Sequence, residues 1–510
     1  MFLPKPNRKI IPRWRDFLTT AALGQLNPAE ITSDTADLPK VNKLEAREAW
    51  VLRPTLWNAL DFVGAAFVLG DLTDPDVLLA AKYLHGRSDD CPFPAQQLIR
   101  KVLHPEADMG FVEDSLHTSE ERTRTEIHQK RRRLSMEPRN SILWTDLACL
   151  YTSVGQVEKA QHAIDMSCQL ASDNRFVVRS AARFLVHIRE YDKALRLLRT
   201  TELRESDPWV VAAEIGVSSF ANRDSRLLKP GRRMIESQEF SDFAKSELAS
   251  AIATVELNEG NRKAARKLFK ESLAVPTENS FAQAEWATAQ VGELNLALSY
   301  GDIPRNYEAK VLQSYKLGDW ETAALNSQKW LNDQPFSSRP AGVLSNLYSG
   351  MLERYQDALD IVKVGLNSNP GDRILENNHA FALINLNRLD EAESVLRRTK
   401  AEEIDDISTI ALTATEGLLF FRTGFAETGR DMYLEAIDIA TRKGNAHYAA
   451  VAAIYMAIEE IRANTDTRLQ SLRTASTLAA KVDEPDVRHL HARLLTMAKV
   501  AKLSVDDRSQ

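Results

Sequence analysis

Ala160 and Ala194 stand 34 residues apart in similar surroundings, and Ala323, Ala358 and Ala392 follow one another at intervals of 35 and 34. Pro335 and Pro370 repeat at 35, and Gly155 and Gly318 each precede their alanine by five residues. Self-similarity at such a period constrains a chain more than any single motif. One repeat cannot bury its apolar face alone, so neighbours must stack. The chain has 510 residues, which as separate domains would make about three or four. As repeats it makes one continuous stack.

The clearest copy runs WTDLACLYTSVGQVEKAQHAI, from Trp144 to Ile164. Trp144, Leu147, Ala148 and Tyr151 recur at spacings of three and four, placing them on one helical face. Gly155 ends that helix, and a second helix from Val157 carries Ala160 and Ile164 back towards the first. The small residues Ala148 and Ala160 let the two backbones approach. Further copies lie around Ala265 with Phe269, and around Gly424, Gly429 and Tyr433.

A helix pair repeating every 34 residues, with these aromatic, Gly and Ala offsets, resembles the tetratricopeptide repeat family. The likeness covers roughly residues 141 to 442. It implies an all-α, right-handed solenoid in which the first helix of each pair lines a groove. The organisation expected is an N-terminal helical region over 1–137, a first repeat block over 138–278 and a long linking helix over 279–302. A second block over 303–442 and capping helices over 443–510 complete it. Pro230 and Gly231 predict a broken or short second helix in the unit starting near Trp209.

Before the repeats, Asp74-Pro75 opens a helix carrying Val77, Ala80, Ala81 and Leu84. Another helix is expected over Gln96–His104, and Thr118 with Glu121 reads as a capping box. Asp486 to Leu503 reads as the helix covering the last repeat, which would otherwise expose an apolar face.

Chemistry is sparse. There is no phosphate loop, dinucleotide fingerprint, HExxH or nucleophile elbow. His489 and His491 are two apart and would point to different faces of a helix. Cys91, Cys149 and Cys168 lack any metal or redox spacing and read as reduced thiols. No cofactor, no metal and no catalytic residue is assigned. The most apolar stretch, Leu56 to Leu69, is shorter than the about 20 residues a bilayer span needs, and a cytoplasmic protein is expected.

Binding is the better use of the pattern. The resemblance places groove positions at the fifth, sixth and ninth residues of each unit. In the unit starting at Arg175 these include Arg179 and Arg183, expected at the surface and suited to acidic side chains or a C-terminal carboxylate. Internal pairing with Asp146 or Glu214 is the alternative. In the unit starting at Arg373 they are Asn377 and Asn378, suited to holding an extended peptide. The clamp of chaperone-binding members is not reproduced.

Two basic clusters stand apart in a chain of net charge −6. One is Lys130, Arg131, Arg132 and Arg133 at a helix end, where cations offset the dipole. The other is an N-terminal arm carrying Lys5, Arg8, Lys9, Arg13 and Arg15 among Phe2, Ile10, Ile11 and Trp14. The arm fits an acidic partner or nucleic acid, and equally a flexible or self-docked terminus. The expectation is a non-catalytic interaction scaffold or regulatory subunit for a partner protein or peptide. A nucleic-acid-associated repeat protein and the sensor of a separately encoded effector, such as a nuclease, are the alternatives.

Overall fold

The computed structural model describes residues 8–26, 43–68, 72–91, 93–104, 119–301, 303–399 and 406–503. Lys5 and Thr118 lie outside them, as does the capping box at Thr118. Among the described residues every regular element is helical, and no helix is long and apolar enough to cross a membrane.

The chain forms two compact units, one of residues 26–121 and one of residues 1–25 with 122–510. The smaller contains the helices Lys43–Leu52, Leu56–Val68, Pro75–His85 and Phe93–Leu103. Asp74 caps the third of these by accepting from the Asp76 amide, as Asp-Pro at a helix start does. Phe62, Val63, Val77, Ala80, Ala81, Leu84, Ile99 and Val102 form its core. Residues 8–25 therefore belong with the repeats, and not with the helices that follow them in sequence.

The larger unit is a helical-repeat solenoid. Ser141–Ser153 pairs with Val157–Leu170, Arg175–His187 with Tyr191–Thr200, and Pro208–Phe220 with Leu228–Glu236. Asp242–Asn258 pairs with Arg262–Ser272, and Tyr307–Leu317 with Trp320–Asp333. The series continues through the pairs opening at Ser338, Arg373, Asp406 and Ala446, and closes on Pro485–Val500. The repeat alanines 148, 160, 194, 323, 358 and 392 are all fully buried, at the seam where a larger side chain would part the helices.

The turn between paired helices needs one residue in the left-handed region. Gly155, Gly260, Gly318 and Gly424 supply it in four units, where glycine carries no Cβ penalty. Arg189, Asn222, Glu353 and Asn387 take the same positive φ in others. The geometry of the turn is thus retained even where the glycine is absent.

One sequence expectation needs correction, and one is met. The stretch after Asn279 is not one long helix: Glu278–Gln290 is followed by a short 3-10 turn at Gly292–Leu294 and then by chain without regular secondary structure. Leu294, at the end of that turn, and Leu296 belong to one buried cluster with Phe269 and Trp286, and the left-handed Asn295 between them ends the helical path. The helix containing Pro230 is short but unbroken, Leu228–Glu236, because the proline falls in its first turn. Gly231 there faces Val211, Leu248 and Ile252 at distances of 3.1–3.2 Å from an ideal Cβ, so glycine permits the close packing.

The superhelix brings distant units into contact. Ser368 Oγ donates to the Ser153 carbonyl at 2.7 Å, and a Cβ on Gly155 would lie 2.1 Å from the Asn367 carbonyl oxygen. His489 meets Trp320 Nε1 at 3.2 Å and the Met351 carbonyl at 3.2 Å. The final helix therefore packs on the unit at Trp320 as well as covering the end.

Candidate binding site in the solenoid interior

The first helices of successive pairs touch one another and form an inner layer. The N-terminal arm, residues 8–16, lies against this layer without regular secondary structure, with one tight turn closed by the Ile11 amide on the Lys9 carbonyl at 3.0 Å. Three of its arginines are held by acids and amides some 300 residues away. Arg8 places Nε and Nη2 each 2.9 Å from the two carboxylate oxygens of Glu308, and also reaches Gln283 at 2.7 Å and Asn279 at 2.9 Å. Arg13 donates to Gln334 at 2.8 Å and also pairs with Glu308. Arg15 grips Asp333 through Nε and Nη2, and Glu278 through Nη1 at 2.8 Å. Planar forks matched to carboxylates are the strongest class of charged hydrogen bond.

The arm's backbone is held too. Gln283 Nε2 donates to the Arg8 carbonyl at 2.8 Å, and Asn279 Nδ2 to the Ile11 carbonyl at 3.0 Å. Opposite Ile10 the helix carries Gly216, where a Cβ would stand 2.1 Å from the Ile10 carbonyl oxygen. Trp14 fills the centre, 1% exposed, between Phe184 and Phe336 at ring distances of 6.2 and 5.4 Å. Phe17 then starts a short helix capped by Asp16, packs on Phe176 and donates its amide to Asp146 at 2.9 Å.

The electrostatics follow from burial. Desolvation opposes ionisation of Glu308, yet Arg8, Arg339 and Arg13 hold its carboxyl well below the usual range. Asp333 is likewise lowered, burial being outweighed by Arg15 and Arg305. Glu247 is raised, chiefly by burial, although Arg179 pulls it down. Burial lifts Asp146 to about 6 against the pull of Lys130.

Arg179 and Arg183 are not at the surface, as the repeat pattern had implied. They are 5% and 8% exposed, because the arm and the facing turn of the superhelix cover this helix. Arg179 pairs with Glu247 at 2.7 Å and stacks on Trp209. Neither Asp146 nor Glu214 is its partner: Asp146 takes Lys130 and Glu214 takes Arg199. Asn377 and Asn378 are buried as well. Asn377 accepts from Thr415 at 2.8 Å, and Asn378 donates to Ser345 and the Gly342 carbonyl. Both asparagines tie neighbouring repeats together.

These helix pairs, at their 34-residue spacing, define the fold. It is a tetratricopeptide-type helical-repeat solenoid. No protein-family model matches the chain, and no curated protein matches it. Solved structures align along most of it at low identity. A human IFIT1 dimer with PPP-AAAA is 14% identical, with 94% of this chain and 99% of that chain covered at a TM-score of 0.31. Cut9 in the APC/C Cut9–Hcn1 hetero-tetramer gives 12%, 94%, 99% and 0.38. Yeast Tom70 gives 12%, 88%, 95% and 0.29.

The solenoid splits the basic clusters. Arg8, Arg13 and Arg15 are internal and paired, and Lys9 is half-buried. Lys130 reaches Asp146 at 3.1 Å and Arg133 pairs with Glu137, while Arg131 and Arg132 stay exposed. The acceptors of the arm, Glu278, Asn279, Gln283, Glu308, Asp333 and Gln334, carry no motif. Glu278, Asn279 and Glu308 stand in the first turns of inner helices, Gln283 lies mid-helix, and Asp333 and Gln334 end the second helix of a pair, so no shared position marks them.

Among the described residues one other cluster has ligand chemistry: His447, Glu484 and Asp486 bring donor atoms within 4.8 Å of one another. His447 Nε2 lies 2.8 Å from Asp486 Oδ2, so an ordinary hydrogen bond between two packed helices accounts for the grouping.

Proposed function

We propose that this chain is a non-catalytic interaction or regulatory subunit. Its solenoid interior binds an extended polypeptide segment of a partner, and residues 8–17 are the resident occupant of that site. The observation that supports this is the pair of side-chain amides, Asn279 and Gln283, on the arm's carbonyls. Contacts to main chain hold an extended segment whatever its sequence, and the neighbouring acids then select for arginine. The partner segment that fits is cationic with an aromatic anchor, the opposite of the acidic ligand suggested by Arg179 and Arg183. Three unpaired thiols fit a cytoplasmic setting.

A charge-reversed full-length chain, R8E/R13E/R15E, tests this. Its own arm is repelled by Glu308, Asp333 and Glu278, so a labelled peptide with the sequence of residues 8–17 should bind it in solution. The unaltered chain should bind the same peptide far more weakly, because its site is filled. Equal, negligible binding to both chains would leave the arm as plain core and remove the basis for the proposal.

A further inference from the structure

One cation of the interior has no counter-charge. Arg183 lies on the Arg175–His187 helix with its Cζ 4.8 Å from the centre of the Phe336 ring. Among the described residues no carboxylate pairs with it and no acceptor takes a hydrogen bond from it. Its charged neighbour is another cation, Arg13. Arg179, one turn earlier on the same helix, has Glu247, and Arg15 has two acids. Burying a charge is tolerated where it is paired, and an unpaired one is costly.

Donors in excess gather at the same place. The Trp14 indole N–H and the Arg13 Nε are buried and make no hydrogen bond, and Trp14 shares the Phe336 ring with Arg183. Nearby, Arg8, Arg13 and Arg339 all lean on one carboxylate, that of Glu308. Arg13 also acts on Glu247, which Arg179 already pairs, so with Arg183 and Arg179 there are five guanidiniums to two acids. Burial and Arg13 lower Arg183 only to about 10, so it keeps its charge at neutral pH and loss of a proton does not relieve the site.

We infer that Arg183, Arg13 and Trp14 form a binding site for a tetrahedral oxyanion of the phosphate type beside the Phe336 ring. A guanidinium alone offers five donors, and a carboxylate has only about four acceptor positions. A phosphate group offers more acceptors in more directions, and its second charge matches the surplus of cations. The anion is either free phosphate or the phosphate group of a larger molecule. Arg13 and Trp14 belong to the arm, so the site exists only while the arm is docked.

The test uses the full-length chain with inorganic phosphate and pyrophosphate, against acetate and chloride at matched ionic strength. Calorimetric titration of the unaltered chain should show one phosphate bound, and thermal unfolding should shift upward with its concentration. Acetate and chloride should do neither. Arg183→Met should bind phosphate at least about tenfold more weakly, since charged hydrogen bonds are lost. Without phosphate that variant should unfold at the same temperature or higher, because an unbalanced buried charge is gone. Tighter binding of pyrophosphate than phosphate would point to a nucleotide-like or phosphorylated source, and equal binding to the free ion. Absence of phosphate binding to the unaltered chain would overturn the inference. So would an equal effect of acetate, or a phosphate response retained in Arg183→Met.

Discussion

Arg15 and Asp333 are 318 residues apart in sequence, yet Arg15 Nη2 lies 2.6 Å from Asp333 Oδ2, with both side chains almost wholly buried. The pair ties the first turn of chain to the junction of two repeats in the middle of the solenoid. Arg305 adds a second guanidinium to Asp333 at 2.7 Å. Removing Arg15 alone leaves Asp333 and Glu278 short of a counter-charge in a dry site. Arg15→Met should destabilise the chain by about 3–5 kcal/mol, as breaking a buried pair does. Combining it with Asp333→Asn should cost less than the sum of the two, read by denaturant unfolding of all three variants.

Gly216→Ala gives a cleaner way to expel the arm. In a helix interior that exchange normally stabilises by about 0.5–1 kcal/mol. Here the new Cβ would stand 2.1 Å from the Ile10 carbonyl oxygen. We expect helical content to be unchanged by circular dichroism, while limited proteolysis cuts within residues 8–16. An arm as protected as before would show that the inner layer shifts to accept the methyl group.

Acid should loosen the arm in a defined direction. Glu308 and Asp333 have folded values below the ordinary carboxylate value, which is about 4. Their contribution is therefore complete above about pH 4 and is lost as pH falls through the lower folded values. Hydrogen exchange of the arm amides should rise below about pH 4 in the unaltered chain. Glu308→Gln should lose most of that dependence and show faster exchange already at neutral pH.

His187 reports on Arg183. Burial first and the Arg183 cation second lower the imidazole to about 4, against about 6.5 when unperturbed. Its neutral form is favoured by folding, so its contribution is full above about pH 6.5 and declines as pH falls towards about 4. Arg183→Met should move the His187 titration upward, followed by NMR of the ring.

Removal of residues 486–510 should do more than uncover one end. Val487, Leu490 and Leu494 are buried in the last helix, and its His489 touches Trp320 and Met351. Burying such side chains is worth about 1.5–3 kcal/mol each. The truncated chain should unfold at lower temperature and associate in sedimentation experiments.

Nucleic-acid binding should be weak. Arg8, Arg13 and Arg15 are committed to internal acids, which leaves exposed Arg131 and Arg132 as the main donors of the basic helix end. Affinity for phosphate backbones rises with the number of cations engaged. Little retention on a nucleic-acid column is expected at about 0.15 M salt, where the screening length is about 8 Å.

The repeat and its seam were legible because they are local. Ala148 and Ala160 meet across a turn of a few residues, and the period of 34 records that turn each time it recurs. The left-handed position was readable at Gly155 and Gly318 but hidden at Arg189 and Asn387, where packing enforces the conformation without glycine. Pro230 and Gly231 marked a broken or short helix, and the structure makes it short because the proline falls in its first turn. Groove positions counted from the repeat gave Arg179, Arg183, Asn377 and Asn378 correctly as inner-helix residues. That they are buried depends on what lies opposite. The basic arm was visible as cations interleaved with Ile10, Ile11 and Trp14. Its acceptors Glu278, Glu308 and Asp333 were not, since no short-range rule links residue 15 to residue 333. Local periodicity sets which helices form and how neighbours pair. The curvature accumulated over many pairs brings distant units together, and that tertiary path alone decided that the arm is held inside.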